Sequence, residues 1–136
     1  MKKEKLIKEY YKIYGELINN AYYLTDYGWN DSIEIAWGFN YVYDAVKMLE
    51  KKNIPILGGD VCIIKDKKLV YTYDNWDTSK VDNSENTSTF ERTIRYINDY
   101  ICIMKIKNMD ISNYLFIITC DFEFLKNDDS DVLYIH

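Results

Sequence analysis

The sequence predicts an α+β domain in which three main helices pack on a small, mostly antiparallel sheet. Two observations indicate this fold class. Apolar residues recur at helical spacing in three stretches, and runs rich in β-branched and aromatic residues follow the second and the third of them. The sheet is expected to contain a hairpin at about 60–73 and a strand at about 114–120. The length of 136 residues suits one domain, so we expect 1–136 to fold as a single unit.

The first two helices are predicted from stripes of apolar residues that advance by three or four positions. The first stripe consists of Leu6, Tyr10, Ile13, Leu17 and Ala21. The second helix is expected to begin near Asp31, because Asp31 and Glu34 have the spacing of a capping box. Its stripe consists of Ile33, Trp37, Tyr41, Ala45, Met48 and Leu49. Pro55 disfavours helix beyond Asn53.

The hairpin is predicted from two runs of strand-forming residues around a polar turn at 65–68. The first run follows Gly58 and Gly59, and this pair is interpreted as a tight bend into the sheet. The pair lacks the Lys and the Ser or Thr of a phosphate-binding loop, and it precedes a strand instead of a helix. The second run is 69–73. Residues 74–85 are then expected to form a polar, acidic loop around Trp76.

The third helix has the clearest start signal, because Ser88 and Glu91 form a capping box. Its apolar stripe consists of Phe90, Ile94, Ile97, Ile101 and Met104. The run 114–120 that follows is almost entirely apolar, which predicts a strand covered on both faces. Residues 132–135 are a candidate edge strand.

The net charge of −5 resides in the second part of the chain. Residues 1–52 hold eight basic and eight acidic residues, whereas residues 53–136 hold nine basic and fourteen acidic residues. Five of those acids lie in the tail at 121–131. An acidic surface repels phosphate, so we expect no direct binding to nucleic acid. The charge either attracts a basic partner or keeps a small domain soluble.

The sequence also predicts a cytoplasmic protein. The first 14 residues alternate charged and apolar side chains, unlike a signal peptide, and no run reaches the roughly 18 apolar residues of a membrane span. Cys62, Cys102 and Cys120 are widely spaced and odd in number. We therefore expect reduced thiols and not a disulfide framework.

Signatures of catalysis are sparse. The single histidine is the last residue, His136, and a chain end is a poor place for a general base. A zinc site would require this histidine and the three cysteines to converge. The remaining option is a carboxylate site formed by Asp60, Asp74 and Asp77, for acid–base chemistry or for a divalent metal. The competing interpretation is that these three residues cap turns.

Trp76 has two interpretations. An aromatic residue flanked by acids in a polar loop is suited to anchor a binding partner. Alternatively, the ring folds inward and holds the loop against a helix. The abundance of tyrosine, 14 of 136 residues, favours an interface or reflects biased genomic composition.

Two stretches carry a resemblance to a known family. Residues 53–61 read NIPILGGDV, and residues 71–76 read YTYDNW after a short hairpin. At this spacing, the two stretches together resemble the Immunity protein 40 family of bacteria. The flanking helices agree with that family in type and order.

The resemblance implies that the chain is encoded beside a bacterial toxin and neutralises this cognate toxin by binding it, with no cofactor and no catalysis. The acidic surface would suit a basic toxin domain, such as a nuclease. The expected partner-contact residues are Asp74, Trp76, Asp77, Asp82 and Glu85. The alternative function is a small hydrolase or metal-binding enzyme that uses Asp60, Asp74 and Asp77.

Overall fold

Three α-helices and five antiparallel strands make up this α+β structure, and the fold class predicted from the sequence is confirmed. The computed structural model describes residues 2–78, 88–122 and 124. The strands are β1 (Tyr22–Tyr23), β2 (Ile35–Gly38), β3 (Ile56–Lys65), β4 (Lys68–Asp77) and β5 (Tyr114–Cys120). The helices are α1 (Lys3–Tyr14), α2 (Val42–Lys51) and α3 (Thr89–Ile106), and 3₁₀ segments cover Gly15–Asn20 and Leu24–Tyr27. The strands form one sheet in the order β1-β2-β5-β3-β4.

The three helices cover one face of the sheet. Leu6 of α1, Ala45 of α2 and Ile97 of α3 belong to the same buried cluster as Trp37 and Phe116 of the sheet. Each of these five side chains is at most 2% exposed. The burial of this apolar surface is the main favourable contribution to folding.

The opposite face of the sheet is covered over only part of its area. A smaller cluster on that face contains Ala36, Cys62 and Leu115, with Leu24 of the second 3₁₀ segment packed among them. Trp29 lies near the turn of the hairpin, where its Nε1 donates a 3.1 Å hydrogen bond to the carbonyl oxygen of Leu69. Towards the other end of β3 and β4 the surface is an open depression.

The second predicted helix is wrong in its first part. Residues 35–38 form β2, which pairs with β5, and α2 begins only at Val42. Ile35 and Trp37 face the helices while Ala36 faces the other way, as the two-residue period of a strand requires. Ile33 and Trp37 of the predicted stripe are four residues apart and pack on the same cluster, and this spacing fits the period of a strand as well as that of a helix.

The first and third helices form where the sequence predicts them. The α-helical part of the first one ends at Tyr14, because Gly15 adopts a φ of +59° that favours glycine. At the start of α3, Ser88 Oγ accepts a 3.1 Å hydrogen bond from the N–H of Glu91, which confirms the predicted cap. No helix in the part of the chain that the structure describes is long and apolar enough to cross a membrane.

The predicted hairpin is confirmed and is longer than expected. β3 and β4 remain paired as far as Gly58 and Asp77, so residues 74–77 continue the strand instead of starting a loop. Gly58 and Gly59 lie within β3, not in a bend before it. The whole stretch that carries expected contact residues up to Asp77 is therefore part of an edge strand.

The predicted strand at 114–120 is confirmed as β5, between β2 and β3. Phe116 and Ile117 belong to opposite clusters, so β5 is covered on both faces as predicted. The candidate strand at 132–135 lies outside the described residues.

Candidate partner-binding surface

β4 contains a bulge that interrupts its pairing with β3. Asp60 pairs with Asn75, and Cys62 pairs with Tyr71, so two steps along β3 correspond to four steps along β4. The additional residues displace the middle of β4 from the ladder of hydrogen bonds. The bulge lies on the edge strand, where displaced residues meet solvent instead of another strand.

Polar contacts hold the backbone of the bulge in place. The hydroxyl of Thr72 donates a 2.8 Å hydrogen bond to the carbonyl oxygen of Val61 and accepts a 3.0 Å bond from the N–H of Asp74. The hydroxyl of Tyr100, on α3, donates a 2.8 Å bond to the carboxylate of Asp74. Burial, and then this bond, raises the pKa of Tyr100. The bulge is thus attached to both β3 and α3.

Tyr73 occupies the outermost position of the bulge. Its φ is +69°, and its side chain is 88% exposed. This left-handed conformation costs a residue with a Cβ roughly 1–2 kcal/mol. The side-chain amide of Asn75 donates a long, 3.4 Å hydrogen bond to the carbonyl oxygen of Tyr73 and closes the bulge on its other side.

Trp76 points inward, against α3. Its Nε1 donates a 3.2 Å hydrogen bond to the hydroxyl of Thr93, and its ring stacks on Tyr96 at 4.9 Å between centroids. Gly59 makes room for the ring, because a Cβ at Gly59 would collide with Trp76 and with the carbonyl oxygen of Ile117. The inward interpretation of Trp76 is confirmed. Its expected role as an exposed anchor is not supported, since the ring is only 9% exposed.

The open end of the hairpin forms a shallow depression of about 510 Å³. Its polar lining comes from Asp60, Asn75, Asp77 and Thr119, and Leu57 adds an apolar side chain. We use the name hairpin surface for five side chains of β3 and β4: three line this depression and two lie in the bulge of β4. They are Asp60, Tyr73, Asp74, Asn75 and Asp77.

The charge of the hairpin changes along its length. The turn at 65–68 holds three Lys, whereas residues 69–78 contain two Asp and neither Lys nor Arg. Arg92 and Arg95 of α3 limit the acidic region on the helix side, because they line a neighbouring depression together with Asp77. The acidic character of the hairpin surface is therefore strongest on the side away from α3.

On the partly covered face of the sheet, the environment destabilises the charged form of two carboxyl groups, those of Asp60 and Glu34. Burial raises the pKa of Asp60. Burial, and then repulsion by Asp60, raises the pKa of Glu34. Within residues 2–78 and 88–122, neither side chain makes a hydrogen bond or an ion pair. A cation placed next to these carboxylates would favour their charged form.

The predicted carboxylate site does not form. Asp60 and Asp77 line the same depression, but the carboxylate of Asp74 points to Tyr100 of α3. All three residues are described, and no group of three His, Cys, Asp or Glu among the described residues is arranged to hold a metal ion. The turn-cap interpretation is wrong as well, because each of the three lies in a strand.

The cysteines offer no activated nucleophile in the interior. Burial, and then the carboxylates of Asp60 and Glu34, raises the pKa of Cys62 to about 12. Burial alone raises the pKa of Cys120 to about 12. Both thiols stay protonated near neutral pH, and a protonated thiol is a poor nucleophile. Cys102 lies exposed on α3, and all three cysteines are free thiols.

The structure brings some of the expected contact residues together and adds others. Asp74 and Asp77 lie on the hairpin surface, while Asp82 and Glu85 lie outside the described residues. Sequence reasoning did not select Tyr73 or Glu34. The signal for Tyr73 is the order of residues 72–75, in which polar residues suited to turns interrupt a strand-forming run.

The family model described as Immunity protein 40 matches residues 23–120, which is more than half of the chain. The matched region extends from β1 to the end of β5, so it contains the bulge, Gly59 and Trp76, and it excludes α1. No curated protein and no solved structure matches the chain.

Proposed function

The chain belongs to the Immunity protein 40 family, and we propose from this membership that it neutralises a bacterial toxin by binding it directly. The family match is the observation that carries the proposal. It supports the coarse function, protection against a toxin. The surface, the toxin's chemistry and the absence of catalysis are proposals that rest on the arrangement of the described residues.

The hairpin surface is the binding site that we propose. Most of it lies on the edge strand β4, where Tyr73, Asp74, Asn75 and Asp77 are exposed beside α3, so a partner reaches it without displacing any core element. Edge strands with free backbone groups are common docking sites for other chains. Asp82 and Glu85 remain proposed contacts, because they follow directly after this strand in the sequence.

The toxin surface that fits this site is basic. Residues 69–78 carry acidic but no basic side chains, and Asp60 and Glu34 lack a cation among the described residues. Opposite charges on the two proteins would accelerate encounter and fix the orientation of the complex. Domains that act on nucleic acid are typically basic, so a nuclease is the class of toxin that we propose.

The proposed mode of action is steric. An interface of standard size buries about 1,600 Å² in total and supports nanomolar affinity when its central contacts pack well. The chain would cover the active site of the toxin or another surface that the toxin needs. No chemical step and no cofactor form part of this function.

The first experiment co-expresses the chain with the toxin domain encoded beside its gene. We expect bacterial growth to be restored and the two proteins to elute as one complex from a size-exclusion column. Continued killing, with the proteins eluting separately, would contradict the proposed function. A chain that fails to accumulate is recognised by immunoblotting and is excluded from the comparison.

A matched pair of variants tests the proposed site. Asn75→Lys adds a positive charge to the hairpin surface, and Asn113→Lys adds the same charge at an exposed position just before β5. We expect Asn75→Lys to slow association with the toxin about tenfold and Asn113→Lys to change it less than about twofold. Equal association rates, measured by surface plasmon resonance at low salt, would place the interface elsewhere.

A further inference from the structure

We propose that Tyr73 is the aromatic contact of the hairpin surface and that an arginine or lysine side chain of the toxin packs on its ring. This inference rests on the proposed function and assigns the residue and the chemistry of the contact. Three observations support it: the conformation of Tyr73, the support of its backbone and the charges around it.

The conformation is the first observation. Tyr73 combines a φ of +69° with 88% exposure, so the chain accepts an unfavourable backbone conformation and buries almost none of the ring in return. Glycine or asparagine would suit this φ better than a bulky aromatic residue. Folding gives no reason for a tyrosine at this position, whereas contact with a partner does.

The support of the backbone is the second observation. Thr72 donates a hydrogen bond to Val61 of β3, and Asp74 accepts one from Tyr100, so the residues on both sides of Tyr73 are held in place. The ring is therefore presented from a fixed backbone, and little backbone entropy remains to be lost when a partner binds. Exposed tyrosines are frequent energetic centres of protein interfaces, because they offer a large contact area for the loss of only two side-chain torsions.

The charges select the occupant. No Lys or Arg lies within residues 69–78, and the negative charge of this stretch comes from Asp77 and from Asp74, whose carboxylate accepts a hydrogen bond from Tyr100. The face of an aromatic ring attracts a cation, and a neighbouring carboxylate strengthens that preference. A guanidinium group fits best, because it can stack on the ring while it donates hydrogen bonds to a carboxylate. Complementary charge thus indicates a basic patch of the toxin, with arginine in contact with Tyr73.

The test measures the affinity of each variant for the toxin domain encoded beside the gene, inactivated in its own active site. Tyr73→Gly removes the ring and suits the backbone, so we expect the Kd to rise about 30-fold with no loss of thermal stability. Tyr73→Leu keeps apolar area without a π face, and its Kd should rise at least about tenfold. Tyr73→Phe keeps the face, and its Kd should change less than about threefold.

Tyr11→Ala is the control, because Tyr11 is 49% exposed on α1, outside the hairpin surface. Its Kd should stay within about twofold of the wild type. Wild-type affinity in both Tyr73→Gly and Tyr73→Leu would overturn the inference and leave the proposed function standing. A Kd for Tyr73→Phe that rises as far as that for Tyr73→Gly would overturn the contact with the ring face. No binding by the wild-type chain would overturn both proposals.

Discussion

Tyr73 and Trp76 lie three residues apart on β4, in opposite surroundings. Trp76 is 9% exposed, stacks on Tyr96 and donates a hydrogen bond to Thr93. Tyr73 is 88% exposed and has a left-handed φ. The stretch that resembles the family therefore contains two physically different parts. Trp76 joins the edge strand to α3. Tyr73 faces solvent on the same strand.

This difference separates stability from binding. Removing an inward contact leaves a cavity or an unpaired polar group, which lowers the free energy of unfolding. Removing an outward side chain leaves the folded state almost unchanged and changes only what a partner meets. Substitutions along β4 are thus expected to fall into two classes, with the boundary between Tyr73 and Trp76.

The largest effect is expected from Trp76→Ala. Loss of the buried ring should lower the free energy of unfolding by about 3–5 kcal/mol, whereas Tyr73→Ala should change it by less than about 0.5 kcal/mol. Urea denaturation followed by circular dichroism measures both values. If the two substitutions lowered the free energy of unfolding equally, Trp76 and Tyr73 would not differ in their contribution to stability, which contradicts the account.

Gly59→Ala tests the same packing from the opposite strand. The new methyl group would meet the ring of Trp76 and the carbonyl oxygen of Ile117, so we expect a loss of about 1–3 kcal/mol. Gly38→Ala is the matched control in β2, because the nearest atom to its new methyl group is a Leu115 Cδ2 at 3.9 Å. An equal unfolding midpoint for the two variants would show that Gly59 is not required by Trp76.

Tyr100→Phe tests the link between α3 and the bulge. The substitution removes the hydrogen bond to Asp74, and we expect a loss of about 0.5–1 kcal/mol, since Asp74 is exposed and Tyr100 is only half-buried. In the variant Asp74→Asn, the additional substitution Tyr100→Phe should cost less than it does in the wild type. Strict additivity in this double-mutant cycle would mean that the two side chains do not stabilise each other.

Glu34→Gln tests whether burial of Glu34 makes the stability of the fold depend on pH. The folded pKa of Glu34 is raised above its ordinary value of 4.5, so the folded chain holds more protons than the unfolded chain between those two values. The contribution of Glu34 to stability therefore falls as pH rises through this window. Glu34→Gln should match the wild type below the window and be more stable above it. A variant that is less stable at neutral pH would contradict the assigned cause.

The sequence predicted the elements whose signals are local. Ser88 and Glu91 mark the start of α3 within four residues, and the β-branched run at 69–73 marks a strand. β2 was not predicted, because this segment becomes a strand only through pairing with β5, about 80 residues later in the chain. A short apolar segment that fits both periods is assigned by its tertiary partner.

The geometry of the proposed site could not be predicted from the sequence. Asp74 and Asp77 lie on the hairpin surface, yet the bulge that exposes Tyr73 depends on a register shift between two strands. The inward position of Trp76 depends on Gly59 and Thr93, both 17 residues away in sequence. Neither relation can be read from local composition, because each requires the paired strands and α3 to be in place.

Amide hydrogen exchange with and without the toxin domain tests the central claim most directly. Most described parts of the chain should exchange alike in both states, because the fold does not change. We predict that bound toxin slows exchange at the amides of residues 70–77, which include the outward-facing N–H groups of the edge strand. Unchanged exchange at 70–77, with slower exchange confined to α1 or α2, would contradict the claim that the toxin docks on the hairpin surface.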